Sequence, residues 1–195
     1  VPYCLLIASR IAGEGVRAPL AVGLFAALGF ALKPYFVIVP IALELLACRE
    51  PRITPQTVAL AVVAISYSAA VVIFTPEYFS EVLPMARRAY GAFVGEFTSP
   101  ILVVVSLGLA ALGVAISRRK GSPASRAFLV AALAFLPAAI LQAKGWSYPT
   151  LPTRGLLFLA IAVEVVQSRR NVVGDAFLFG AALLCLLPSG VYRNS

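Results

Sequence analysis

Positively charged side chains stand near aromatic ones at three places in the chain. The three groups are Lys33 with Tyr35; Arg87 and Arg88 with Tyr90; and Lys144 and Arg154 with Trp146 and Tyr148. Arginine offers a phosphate a planar fork of donors, and lysine offers it a compact point charge. Aromatic rings suit either a sugar face or the headgroup belt of a membrane. The pattern predicts substrate-binding groups for the phosphate of a lipid carrier at a membrane surface.

A second interpretation of some of these residues stays open. Trp146 and Tyr148 are also the residue types that anchor a chain at a membrane interface. Arg87 and Arg88 would touch lipid phosphates without specificity if they formed the solvated face of a helix. Lys33 is harder to explain in this way, because an uncharged residue would serve equally well in a turn.

Carboxylates are scarce around these cations. Glu77 and Glu81 stand four residues apart and could bind a divalent cation weakly. Two glutamates on an interfacial helix more often belong to its solvent-exposed face. Glu96 is a weak candidate for a base. The chain has no histidine, and its three cysteines lack metal-ligand spacing, so we expect no zinc site and assign no residue as a metal ligand. The sequence therefore offers binding groups and leaves the catalytic residues unassigned.

Composition places these groups in a membrane protein. Hydrophobic residues make up 61% of the chain and charged residues 12%, against about 25% in a soluble domain, and the mean hydropathy is +0.96. The net charge of +8 comes from basic residues spread singly or in small groups between apolar runs, which is a membrane topology signal and not a nucleic-acid surface. We expect an all-α, polytopic transmembrane bundle, residues 1–195 forming one domain in the bacterial inner membrane.

The lysine-proline pair Lys33-Pro34 separates two short apolar stretches, Leu20 to Leu32 and Tyr35 to Ala47. A charge costs several kcal/mol in the middle of a bilayer, and proline removes a helix hydrogen bond. The pair therefore predicts a turn at the membrane surface. The alternative, one continuous helix over 19–47, would distribute the strongly basic loops over both faces of the membrane.

The lengths of the apolar runs, and the turn-forming residues between them, predict membrane spans. These lie at 1–12, 19–32, 35–47, 58–74, 101–117, 124–141, 155–167 and 172–187. With a turn at Lys33, most basic residues fall on one face, which the positive-inside rule makes cytoplasmic. The two longer connections, 75–100 and 142–154, are then external. The first predicts an amphipathic interfacial helix broken at Pro84.

Two further glutamates, Glu44 and Glu164, lie within or at the cytoplasmic ends of predicted spans. A carboxylate in such a place is expected to be paired. We predict structural ion pairs with arginines such as Arg49 or Arg169.

The stretch from Gly23 to Tyr35, followed by the apolar run that ends with Pro40 to Leu46, resembles a segment of the GT-C type membrane glycosyltransferases. The shared features are a glycine-spaced short helix, an outward-facing lysine and a second short helix that contains proline. The resemblance implies an inverting transferase in which Lys33 lies near the phosphate of a polyprenyl-phosphate sugar donor. The family's catalytic aspartate has no match here, so the resemblance places it upstream of Val1 and makes the chain the C-terminal part of a longer enzyme.

Two other functions remain open. The chain could be a noncatalytic subunit that packs in a larger membrane complex through the small residues Gly23, Ala27 and Ala31. It could also be a small transporter, because the ends of broken helices can bind ions.

Overall fold

The computed structural model of the chain describes residues 1–15, 18–47, 53–91, 121–142 and 150–167. These residues form seven α-helices and no strand, which confirms the predicted all-α class. The helices are α1 (Pro2–Ala12), α2 (Pro19–Ala31), α3 (Ile38–Ala47), α4 (Pro55–Phe74), α5 (Leu83–Gly91), α6 (Pro123–Gln142) and α7 (Leu151–Gln167). A 3-10 helix, Pro34–Val37, precedes α3, and a π-helical turn, Tyr78–Val82, precedes α5. The predicted spans 101–117 and 172–187 lie outside the described residues.

Prolines mark the starts of four helices, at Pro2, Pro19, Pro55 and Pro123. A proline at the first helical position loses nothing, because the amide hydrogen that it lacks would have no partner inside the helix. The end of α1 is set by Gly13, whose φ of 75° lies in the left-handed region that glycine adopts without steric cost.

The helix breaks at Lys33, as the sequence predicts. α2 ends at Ala31, and Lys33 has an extended backbone with φ −141° and ψ 94°. The 3-10 helix begins at the next residue, and α3 follows it without a gap.

The chain also reverses direction at this break. A Cβ atom on Gly23 in α2 would lie 2.8 Å from the Cα atom of Gln56, so α2 and α4 touch there. The neighbouring Thr57 hydroxyl donates a hydrogen bond of 3.2 Å to Glu44 in α3. A straight helix would hold residues 23 and 44 about 30 Å apart. The contacts are compatible only with α3 running back along α2, so the predicted turn is confirmed.

The core is formed by α1, α3, α6 and α7. Its most deeply buried large side chains are Ile7, Leu43 and Ile161, and α6 contributes a row of buried alanines. Small side chains let helix backbones approach closely. α6 and α7 are antiparallel, because the Ser125 hydroxyl, near the start of α6, donates to the carbonyl oxygen of Ala160, late in α7 (3.1 Å).

α4 differs from the other described helices in length and in exposure. It has 20 residues with a mean hydropathy of 2.3, and only 6% of its most apolar stretch is buried. Among the described helices, α4 alone is long and apolar enough to cross a membrane, whereas α1, α2, α3 and the apolar part of α6 (Pro123–Ala138) are shorter. A helix that is apolar on all sides and not covered by protein suits a membrane rather than water.

Two predicted boundaries are wrong. The external connection predicted at 142–154 ends earlier, because α7 already begins at Leu151. Pro152 stands in the first turn of that helix, where proline is tolerated. The interfacial helix is not broken at Pro84, which lies in the first turn of α5. The irregularity is the π-helical turn before it, because a proline disturbs the carbonyl groups of the preceding turn.

Candidate functional site

Lys33 lies at the same end of the bundle as the start of α7. The ring of Phe36, three residues after Lys33, packs edge-to-face on Phe135 of α6 with 4.8 Å between ring centroids. Because α6 and α7 are antiparallel, Phe135 is level with the beginning of α7, which carries Arg154. The fold therefore brings two of the predicted cation-bearing segments to one end.

The Lys33 side chain is exposed, and its ammonium nitrogen lies 5.4 Å from the centroid of the Phe36 ring. An aromatic ring stabilises a cation at this distance without neutralising its charge. Within the described part of the chain, the one ion pair joins Arg10 to Glu44. No carboxylate in that part forms an ion pair with Lys33. Its ammonium group is available to an anion.

An apolar cleft of about 550 Å³ lies between α2, α3 and α4. Phe30 and Ala31, just before Lys33, and Val37, just after it, line this cleft. The other apolar lining residues are Ala27, Pro40, Ile41, Leu45, Leu60, Ala61 and Ala64. A cleft of this size and lining fits part of a hydrocarbon chain. It begins beside the lysine, so an anionic head and an apolar tail could be held together.

Lys33 is level with the middle of α4 and not with its end. α2 and α4 run parallel, because Gly23 contacts Gln56 and, further along both helices, Ala31 and Ala64 line the same cleft. The part of α4 beyond Ala64 is about 15 Å long at 1.5 Å per residue. Relative to α4, the turn is therefore recessed, whereas the sequence predicts it at the membrane surface.

At the other end of the cleft, Glu44 of α3 is held by side chains from two other helices, α1 and α4. Its carboxylate accepts hydrogen bonds from the Tyr3 hydroxyl, from the Arg10 guanidinium (2.8 Å) and from the Thr57 hydroxyl (3.2 Å). The Thr57 hydroxyl also lies 2.6 Å from that of Thr54. We call Glu44, Tyr3, Arg10 and Thr57 the Glu44 cluster; it connects α1, α3 and α4.

The predicted ion pair of Glu44 is confirmed, with a partner that the sequence analysis missed. The partner is Arg10, whereas Arg49 and Arg169 lie outside the described residues. An arginine inside an apolar helix needs an anion nearby, and this signal could have identified Arg10. Glu164 accepts the backbone N–H of Ser122 (3.0 Å), just before α6, where a carboxylate stabilises the start of a helix, and its predicted ion pair stays a prediction.

The remaining predicted site residues are dispersed. Arg87 and Arg88 are exposed on α5. Glu77, just before the π-helical turn, and Glu81, within it, are exposed as well. Tyr35 and Tyr90 belong to helical segments, but their side chains are outside the described part. Lys144, Trp146, Tyr148 and Glu96 also lie outside the described residues. No cluster of three or more candidate metal ligands occurs within the described ranges.

Arg154 was predicted in a loop and is instead buried in the first turn of α7, with 9% of its surface exposed. It belongs to the end of the bundle that carries Lys33. Its neighbour Thr153 is fully buried, and the Thr153 hydroxyl has no hydrogen-bond partner among the described residues.

This unpartnered hydroxyl leads to a stability prediction. Thr153→Val keeps the shape of the side chain and removes a polar group that is buried without compensation, so the free energy of unfolding should stay constant or rise by about 1 kcal/mol. Ser125→Ala is the matched control, because Ser125 is equally buried but its hydroxyl bonds to Ala160. That change should cost about 1 kcal/mol. Unfolding of both variants in detergent would test the opposite signs, and a loss of stability in Thr153→Val would contradict the prediction.

The small residues considered for contact with a larger complex lie toward α4 within the chain. Gly23 is buried against Gln56 of α4 and serves the packing of α2 on α4. Ala27 and Ala31 line the cleft between these helices.

Comparison of the chain with protein-family models, with curated proteins and with solved structures finds no match. The functional interpretation therefore depends on the geometry of the chain itself.

Proposed function

We propose that the chain is the membrane-embedded part of a glycosyltransferase that uses a polyprenyl-phosphate sugar donor. Lys33 binds the donor phosphate, and the apolar cleft between α2, α3 and α4 receives the first isoprene units. The observation that carries this proposal is that residues just before and just after an exposed lysine line the cleft, and that this lysine has no carboxylate partner in the described part of the chain.

The shape of the ligand matches this arrangement. A polyprenyl phosphate joins an anionic head directly to a hydrocarbon chain, and the residues on both sides of Lys33 line an apolar cleft. In this proposal the chain is multi-pass, with α4 crossing the bilayer and the shorter helices packed beside it.

The recessed position of Lys33 strengthens its assignment. With α4 across the membrane, the backbone of Lys33 lies about 10 Å inside the outer surface of the hydrocarbon region. An ammonium group there is costly without an anion or water, and such groups usually belong to a binding site. A phosphate in contact with Lys33 would remove most of this cost.

The chemical role of Lys33 follows from the proposed donor. When the bond between the anomeric carbon and the phosphate oxygen breaks, negative charge develops on the leaving phosphate. A fixed ammonium group stabilises this charge more in the transition state than in the ground state, which accelerates the reaction. The proposal assigns the chain this donor-binding role and assigns no catalytic acid or base.

Removal of the Lys33 charge tests the proposal. In nanodiscs, Lys33→Ala is expected to bind farnesyl phosphate at least about tenfold more weakly than the unchanged chain, because a charge-assisted contact is lost. Binding of farnesol, which lacks the phosphate, should not change. Lys33→Arg keeps the charge and should retain most of the affinity. Equal binding of farnesyl phosphate by Lys33→Ala and the unchanged chain would exclude Lys33 from the site.

A further inference from the structure

Three consecutive polar residues, Ser66, Tyr67 and Ser68, interrupt α4 in its second half. The helix is otherwise apolar from Val58 to Phe74. Polar side chains inside a spanning helix are costly and usually belong to a functional site. Tyr67 and Ser68 line the cleft, whereas Ser66, which is also within the described residues, does not.

The hydroxyl groups of Tyr67 and Ser68 are available to a ligand. Neither makes a hydrogen bond within the described part of the chain. Tyr67 retains 42% of its surface exposure, and Ser68 is also exposed. In an apolar medium a hydroxyl without a partner loses the hydrogen bonds that water would supply, so a polar ligand group in the cleft would be favoured.

These hydroxyls are also level with Lys33 along the axes of the parallel helices α2 and α4. Ala31 and Ala64 line the same cleft from α2 and α4. Lys33 follows Ala31 by two residues, and Tyr67 follows Ala64 by less than one helical turn. The backbone of Lys33 and the hydroxyls on the α4 wall are therefore at the same level along the helix axes, at one end of the cleft.

We infer that Tyr67 and Ser68 bind the phosphate of the prenyl ligand together with Lys33. This inference rests on the proposed function and adds a second wall to its binding site. Hydroxyl groups donate short, strong hydrogen bonds to phosphate oxygens, and they carry no charge that would be costly in the membrane. Lys33 supplies the charge, and the α4 hydroxyls fix the orientation of the phosphate.

The test compares three variants of the full chain in phosphatidylcholine nanodiscs: Tyr67→Phe, Ser68→Ala and, as the matched control, Ser66→Ala. Each of the first two should weaken equilibrium binding of farnesyl phosphate about tenfold, the loss expected for one hydrogen bond to a charged group. Farnesol should bind equally to all three, and Ser66→Ala should bind farnesyl phosphate like the unchanged chain. All three changes are small and on an exposed helix, and their thermal unfolding midpoints should agree.

The outcomes separate this inference from the proposed function. If Lys33→Ala loses farnesyl phosphate while Tyr67→Phe and Ser68→Ala do not, the hydroxyls are not ligands and the proposed function stands. An equal loss of farnesol and farnesyl phosphate would show that Tyr67 and Ser68 only shape the cleft. If the unchanged chain binds farnesyl phosphate no more tightly than farnesol, both this inference and the proposed function are contradicted. Displacement of farnesyl phosphate by phosphatidylglycerol or by inorganic phosphate at similar concentration would identify a general headgroup or phosphate site and overturn the assignment to a prenyl ligand.

Discussion

Glu44→Ala is expected to lower the free energy of unfolding by roughly 2–4 kcal/mol. The change removes the acceptor of three hydrogen bonds and leaves the guanidinium of Arg10 without its counter-charge. Breaking a fully buried pair costs about 3–5 kcal/mol, mainly because the remaining charge is uncompensated. The side chains of Arg10 and Glu44 keep 19% and 18% of their exposure, so the expected loss is somewhat smaller.

A double variant distinguishes the loss of a favourable ion pair from the cost of leaving a partly buried charge without its partner. Arg10→Leu combined with Glu44→Leu removes both charges and should recover most of the lost stability, because apolar replacements of a buried pair are often tolerated. Unfolding of the purified chain in bicelles would measure both variants. If Glu44→Ala unfolded at the same denaturant concentration as the unchanged chain, the Glu44 cluster would not hold α1, α3 and α4 together.

Gly23→Ala is the second substitution with a large expected effect, about 1–3 kcal/mol of destabilisation. A methyl group at this position would lie 2.8 Å from both the Cα and the Cβ atoms of Gln56. Backbone atoms cannot move aside as the end of a flexible side chain can, so α2 and α4 would have to separate. The cleft beside them would change shape as well.

Gly29, in the same helix, provides the matched control. A Cβ atom on Gly29 meets nothing within 4 Å. Gly29→Ala should therefore gain up to about 1 kcal/mol from the better helix propensity of alanine. The two glycine substitutions are thus expected to change stability in opposite directions. Equal effects in thermal unfolding would show that α2 does not pack on α4 through Gly23.

The sequence predicts the local features of this fold well, because they depend on local chemistry. The break at Lys33 follows from the hydrogen bond that Pro34 cannot make. The helical character of residues after Thr75 follows from their amphipathic pattern. The need of Glu44 for a cation follows from the cost of burying a charge. Pro152 misled the prediction, because proline in the first turn of a helix and proline in a loop look alike in sequence.

The contacts between helices could not be predicted. Arg10 and Glu44 are 34 residues apart, and only the reversal of the chain after α2 brings them together. The depth of Lys33 depends on the register between α2 and α4, which is set by the fit of Gly23 against Gln56. The hydrophobic pattern of neither helix indicates this register, because α2 and α4 are both largely apolar around their whole circumference. The relation of Tyr67 to Lys33 was missed for the same reason.

Under the proposed function, the position of the Glu44 cluster would limit how much of a carrier the chain recognises. Glu44 and Thr57 line the cleft at the end opposite Ser68, and the length of α4 between Thr57 and Ser68 is about 16 Å. Their hydrogen-bonded polar groups offer a hydrocarbon tail no further path in that direction. A longer tail must leave sideways into the surrounding lipid, so carriers that differ only in their distal units present the same segment to this protein. We expect it to be indifferent to total carrier length.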